Sequence, residues 1–263
     1  MLGFVLTLDL GNSRTKACLW QRRLVLRTAE FALDDDLGLA SFADEIASTV
    51  PEDARCLALS SVADSAYTRR VVKLFAERRW NCVIEPHAGL ENQTRSPETV
   101  GVDRLYAARG ALTELGESTL ICDLGTALTV DLCLAPAAGD VGSFVGTFAG
   151  GAIAVGPQLA AMALAEHTAR LPAVELVPGA PALGRDTQEA IRAGCVVGIR
   201  GAARALVEEI SREAGLPGAP VCVTGGARAF LMEPEPFTER VVLASGELVH
   251  RGLLEAALVV LGR

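Results

Sequence analysis

One strand-turn-strand pattern occurs twice in this chain. Phe4-Val-Leu-Thr-Leu-Asp9-Leu-Gly-Asn-Ser-Arg-Thr-Lys16 runs from an apolar strand through a tight turn into a second strand. Thr119-Leu-Ile-Cys-Asp123-Leu-Gly-Thr-Ala-Leu-Thr-Val-Asp131 repeats the layout, with aspartate, leucine, glycine and the later threonine in the same register. Apolar residues alternating into a glycine turn predict a hairpin in each place. A solenoid has shorter and more numerous units, so a repeat this wide predicts a duplicated α/β domain with two hairpins facing across a cleft.

Each turn carries chemistry. Gly11 and Gly125 remove a side chain where the backbone reverses, and Ser13 and Thr126 place hydroxyls beside it. A carboxylate at the end of a buried strand is costly to keep charged unless it meets a cation or several donors. Asp9 and Asp123 therefore point to bound ions, most simply ions that accompany a phosphate. Two such turns in opposition would hold a triphosphate and its metal from both sides.

The totals narrow the class. With 263 residues, half of them hydrophobic, the chain can bury two ordinary cores. Its net charge is −8, and no cluster of Lys or Arg is interleaved with aromatics, which disfavours a nucleic-acid partner. The seven cysteines form no Cys-x-x-Cys pair and sit mostly in apolar runs, as small core residues of a reducing cytoplasm. The first residues do not read as a charged leader with a cleavage site. The apolar run 145–164 contains four glycines and a proline, so it reads as a glycine turn and a helix rather than a membrane span.

Along the chain, 22–33 continues the opening meander, 39–49 is an amphipathic helix, 55–62 a doubly buried strand, 66–79 a helix and 82–84 a short strand. Residues 86–100 read as a long loop leading to Gly101-Val-Asp103-Arg104 and a helix over 105–115. Asp103 has two readings, a helix cap or a base that takes a proton from a substrate hydroxyl. Gly150 and Gly151 are expected after a strand, where backbone approaches a ligand, followed by a helix over 157–167. A long helix is expected over 187–214. Its Gly194, Gly198 and Gly201 cost about 1 kcal/mol each, which suggests close approach of another helix or a subunit contact. A strand over 221–224 ends in Gly225 and Gly226, and a helix closes the chain. His87, His167 and His250 have no metal-ligand spacing.

With these landmarks in order, the chain resembles a type III pantothenate kinase, of the actin, sugar kinase and heat-shock ATPase superfamily. The resemblance rests on Asp9-Leu-Gly-Asn-Ser-Arg-Thr-Lys16, Gly101-Val-Asp-Arg104, Asp123 to Asp131, Gly150 to Gly156, Leu183-Gly-Arg-Asp-Thr187 and Thr224-Gly-Gly226. It implies duplicated ribonuclease H-like, actin-like ATPase domains over 1–114 and 115–263, with mixed sheets flanked by helices and a central cleft. The activity it implies is transfer of the γ-phosphate of ATP to pantothenate, the first step of coenzyme A biosynthesis.

Carried over by residue, the resemblance makes Asp103 the base and Gly101, Val102, Asp103 and Arg104 the substrate turn. Asp9, Leu10, Gly11, Asn12, Ser13, Arg14, Thr15 and Lys16 would form the first phosphate loop, with Asp9 organising Mg2+ on ATP. Thr126 would contact ATP, and Asp123 would hold a monovalent cation, potassium or ammonium. Thr187 would reach the pantothenate site of a second subunit, which implies a homodimer. Thr94 stands where relatives carry a tyrosine, and Val155 where they carry a proline. Two other readings stay open: a non-catalytic regulator of the Bvg accessory factor type, and a kinase for another small hydroxy compound.

Overall fold

The computed structural model describes residues 3–137 and 144–262. Residues 1–2, 138–143 and 263 lie outside the described residues, and with them the outer bounds of the two expected halves. The opening meander is β1 (Phe4–Leu10), β2 (Arg14–Gln21) and β3 (Leu24–Ala32), paired antiparallel. After it come α1 (Asp36–Thr49), β4 (Arg55–Ser61), α2 (Ser65–Ala76) and β5 (Asn81–Ile84). β4 lies parallel to β1 and β5 parallel to β4, so the first sheet has the order β3-β2-β1-β4-β5.

The expected 86–100 loop contains β6 (Glu91–Asn92), a two-residue strand that pairs with a strand of the second half. Its partner lies more than fifty residues away, so no local pattern announces it. The chain continues through α3 (Val102–Leu115), β7 (Thr119–Leu124), β8 (Ala127–Leu134), β9 (Thr147–Val155) and α4 (Pro157–His167). Next come α5 (Thr187–Glu213), β10 (Val221–Thr224), α6 (Ala229–Met232), β11 (Val241–Ala244) and α7 (Leu248–Val260). The second sheet has the order β11-β10-β7-β8-β9-β6. Taken from β9 to β11, it repeats the first sheet strand for strand, with the same parallel and antiparallel pairings.

Two-residue alternation decides what each sheet face carries. In β1, Leu6, Leu8 and Leu10 pack into the outer core with α1 and α2, through Phe42, Ile46, Val71 and Phe75. In β7 and β8, Leu120, Cys122, Leu124, Leu128 and Val130 pack outward against Val196, Ile199 and Val207 of α5. The opposite faces contribute Val5, Cys18, Trp20, Ile121 and Cys133 to a shared inner core with α3 and α7. These two helices cross closely at Gly110 and Gly252, where a Cβ on either would overlap the other helix's backbone. The inner layer is thus held between the two sheets.

One glycine expectation needs correction, and a second is narrowed to a contact outside this chain. Gly150 and Gly151 lie within β9, not after a strand, and pair with Leu132 and Asp131 of β8. A Cβ on Gly151 would overlap Val130 O and Asp131 Oδ1, so this glycine makes room for a carboxylate of its own sheet. In α5, no heavy atom lies within 4 Å of the Cβ position at Gly194, Gly198 or Gly201, so no described helix of this chain approaches them.

Candidate functional site

The same alternation sends Asp9, Lys16, Asp123 and Asp131 to the inner side of their sheets, because their neighbours Leu8, Leu10, Ala17, Cys122, Leu124, Val130 and Leu132 occupy the outer cores. Asp9 and Lys16 are direct partners in the β1–β2 pair. Lys16 reaches the other half of the molecule, since a side chain at Gly226 would stand 3.9 Å from its Nζ. The two turns meet as well: Ser13 Oγ lies 2.9 Å from Thr126 Oγ1. Gly11 N donates to Arg14 O at 3.0 Å and Gly125 N to Ala127 O at 2.9 Å, which tightens both reversals.

The site is short of positive charge. Burial pushes the Asp9 carboxyl up to about 7; Lys16 opposes the shift, and Asp103 and Asp123 add to it. Burial likewise pushes Asp123 up to about 6, with Lys16 opposing and Asp103 and Asp131 adding. Among the described residues Asp9 Oδ1 is buried with no hydrogen bond of standard geometry; the Ser60 hydroxyl, across the parallel β1–β4 pair, only partly offsets the effect of burial on this carboxyl. An orphaned buried carboxylate oxygen in a carboxylate cluster fits a cation. Among the described residues no three acids, histidines or cysteines form a metal cage. A divalent ion therefore fits here as a companion of phosphate oxygens, the arrangement magnesium favours. Gly225 has φ of 95°, and a Cβ there would overlap Leu124 O and Asp123 Oδ1, so the Thr224-Gly-Gly226 turn closes directly on the second carboxylate.

Gly101 caps α3 without a side-chain hydrogen bond, and Asp103 is the second residue of the helix. Asp103 is thus not the N-cap residue itself but lies in the first turn, as expected near the cap, where its Oδ1 accepts from the adjacent Arg104 N at 2.9 Å. It stays partly exposed. Arg104 turns its guanidinium to Asp131, donating from Nε at 3.1 and 3.2 Å and from Nη2. Val102 packs on the inner core.

Not every candidate converges. Leu10 and Thr15 direct their side chains to the outer face, where Leu10 is buried and Thr15 Oγ1 lies 2.6 Å from Tyr67 Oη. Asn12 and Arg14 are exposed, and Arg14 pairs with Glu30 at 3.2 Å. Thr187 is exposed at the start of α5, after Asp186, whose side chain accepts from Glu189 N. Its side chain has no hydrogen bond to the turns or to residues 101–104 among the described residues. Thr94 is folded back, donating from N and Oγ1 to Asn92 Oδ1, with its methyl 3.5 Å from the Cβ position at Gly150. His250 is structural: its Nδ1 lies 2.9 Å from Thr7 Oγ1, and burial, with Lys16 nearby, holds its pKa down to about 3.

Two residues gained a place that sequence reasoning had not assigned. Asp131 stands out in the sequence as the single acid of an apolar strand, and only the fold opposes it to Arg104. Ser60 is the penultimate residue of β4, and only strand pairing brings it beside Asp9.

A sequence model of the family described as type III pantothenate kinase matches residues 5–209. Type III pantothenate kinases from two strains of Thermus thermophilus are 38% identical over 168 residues, covering 63% of this chain and 61% of theirs. The match thus spans less than two thirds of those relatives' length. The type III pantothenate kinase of Halorhodospira halophila is 38% identical over 233 residues, covering 84% of this chain and 86% of its own. A solved structure described as a Baf family transcriptional activator from Campylobacter jejuni superposes with a TM-score of 0.60 at 15% identity, covering 98% of this chain and 100% of that one. That likeness concerns the fold, which is the duplicated ribonuclease H-like α/β arrangement of actin-like ATPases.

Proposed function

The chain belongs to the type III pantothenate kinase family, a family of ATP-dependent kinases of coenzyme A biosynthesis, and on that premise we propose that it phosphorylates pantothenate at its terminal hydroxyl. The observation that carries this reading is the meeting of Ser13 and Thr126 across the two halves, on the turns that follow the buried acids Asp9 and Asp123, both of which feel the charge of Asp103 at the start of α3. Phosphoryl transfer needs alignment and charge compensation more than covalent help. The backbone and hydroxyls of 9–16 and 126 hold the phosphates, and Lys16 compensates their charge. A magnesium ion, when bound with ATP, spreads the charge that develops on the transferred group; Asp9 is the residue placed to organise it.

Asp103 takes the proton of the attacking hydroxyl. It is supported by its partial exposure and by a rotamer pinned by the Arg104 amide. Gly101, Val102 and Arg104 complete the acceptor turn. Asp123, whose buried carboxyl lies against the Gly225 turn, holds the monovalent cation. The two halves divide at about residue 114, before β7 begins the repeat.

The active unit is a homodimer. Ile153 and Val155 of β9, Leu159 and Met162 of α4 and Val197 of α5 are all exposed, and Ile153 is 66% exposed. The open glycines of α5 and the exposed Thr187 belong to the same helix, where a second copy can be seated; that Thr187 then reaches the partner's acceptor site is what the family resemblance implies. Cys18, Cys82, Cys122, Cys133, Cys195 and Cys222 are free thiols, which supports a reducing cytoplasm. No described helix is long and apolar enough to cross a membrane.

The test incubates the purified protein with ATP, magnesium, potassium and pantothenate and looks for phosphopantothenate by mass spectrometry. Nucleotide binding without product would favour the regulator, and product from a different hydroxy acid only would favour another acceptor. Sedimentation of Ile153→Asp, expected as a monomer, tests the dimer separately.

A further inference from the structure

A buried ion pair joins the acceptor turn to the second sheet. Asp131 is 1% exposed, on the inner face of β8. Arg104 approaches it from the first turn of α3 with Nε and Nη2, and the guanidinium carbon lies 5.4 Å from the centre of the Phe148 ring. Gly151, opposite Asp131, leaves the space that the carboxylate fills. Three residues of the second half thus shape one side chain of the first.

Stability alone does not explain this. Burying an ion pair gains little over well-packed apolar groups, because desolvation offsets the attraction. What the pair supplies is orientation: the planar fork of arginine is fixed through one edge. The other amine, Nη1, has no hydrogen bond to a described residue and is not among the sealed, unpartnered atoms. Asp103, next in sequence, is a second acid that acts on Arg104 electrostatically, while the guanidinium's hydrogen bonds go to Asp131. Thr94 lies over Gly150, one residue along β9, so acceptor-side positions border this cluster.

We propose that Asp131 is a positioning residue for acceptor selection: by holding Arg104 through Nε and Nη2, it presents the free Nη1 edge to the carboxylate of the acceptor. The inference rests on the pantothenate kinase reading. An acceptor carboxylate is then favoured over a neutral group at the same position, and the preference depends on Asp131 although Asp131 does not touch the acceptor.

The experiment compares pantothenate with its alcohol analogue, in which the carboxylate is replaced by CH2OH, as competing acceptors. In Asp131→Asn the ratio of kcat/KM for acid over alcohol is expected to fall about tenfold, mainly through KM for the acid. A loss of rate shared equally by both acceptors, as mere destabilisation would give, overturns the proposal. If Asp131→Asn does not fold, the amide pair Arg104→Gln with Asp131→Asn replaces it: the same selectivity as Arg104→Gln alone supports the coupling, and a further loss overturns it. A wild-type protein that phosphorylates neither acceptor defeats the underlying kinase reading instead, which separates the two failures.

Discussion

The side-chain oxygens of Ser13 and Thr126 lie 2.9 Å apart, although the two residues belong to turns of different sheets. This contact is where the two copies of the acidic hairpin meet. If the turns share the phosphates of ATP, Ser13→Ala and Thr126→Ala each raise KM for ATP, and the double variant raises it less than the singles combined. The coupling expected is about 1 kcal/mol. Steady-state kinetics of the four proteins measures it, and strictly additive effects would show that the turns act independently.

Asp103→Asn keeps the shape of the side chain and its acceptor oxygen for the Arg104 amide while removing proton acceptance. Turnover is expected to fall by about two to four orders of magnitude. ATP affinity, measured by calorimetry, should stay within a few fold. Near-normal turnover would remove Asp103 from the role of base.

Asp123→Ala is expected to abolish activation by added potassium and to weaken nucleotide binding with it. Titrating potassium against rate, at constant ionic strength with a bulky organic cation as replacement, reads this directly. Salt activation that survives the substitution would place the cation elsewhere.

Asp9 predicts a pH dependence with a definite sign. Its carboxyl holds a proton up to about 7 in the folded chain, against about 4 in an unfolded one. The folded state binds that proton more tightly, so the associated stability is full below about 4 and is lost as pH rises through about 7. In thermal unfolding of the nucleotide-free protein, Asp9→Asn should therefore gain more over wild type at pH 8 than at pH 5. Magnesium with ATP should narrow the gap at pH 8 by stabilising the wild type. An equal difference at both pH values would mean that Asp9 does not carry the buried charge.

Much of the fold was legible because its signals are local. The alternation of Leu6, Leu8 and Leu10 with Thr7 and Asp9 marks a strand and the face of its acid within a few residues. The glycine turns after Asp9 and Asp123 mark the hairpins, and the matching order of the two copies marks the duplication. The error had the opposite character. Gly150 and Gly151 have the appearance of a ligand turn, but their partners Leu132 and Asp131 place them inside a strand. Asp103 lies near the cap, as expected, and only the start of α3 one residue before it shows that it is not the N-cap itself.

The sequence by itself determined the two hairpins, the inward direction of Asp9, Lys16, Asp123 and Asp131, and the family, since all of these follow from short-range periodicity and motif order. Tertiary structure alone decided that Ser13 meets Thr126, that Lys16 reaches Gly226, that Ser60 lies beside Asp9, and that Arg104 is held by Asp131. Each of these contacts joins segments far apart in the chain. Ser60 reaches Asp9 through strand pairing within one sheet, and the contacts that join the two halves form across the inner layer in which α3 and α7 cross at Gly110 and Gly252.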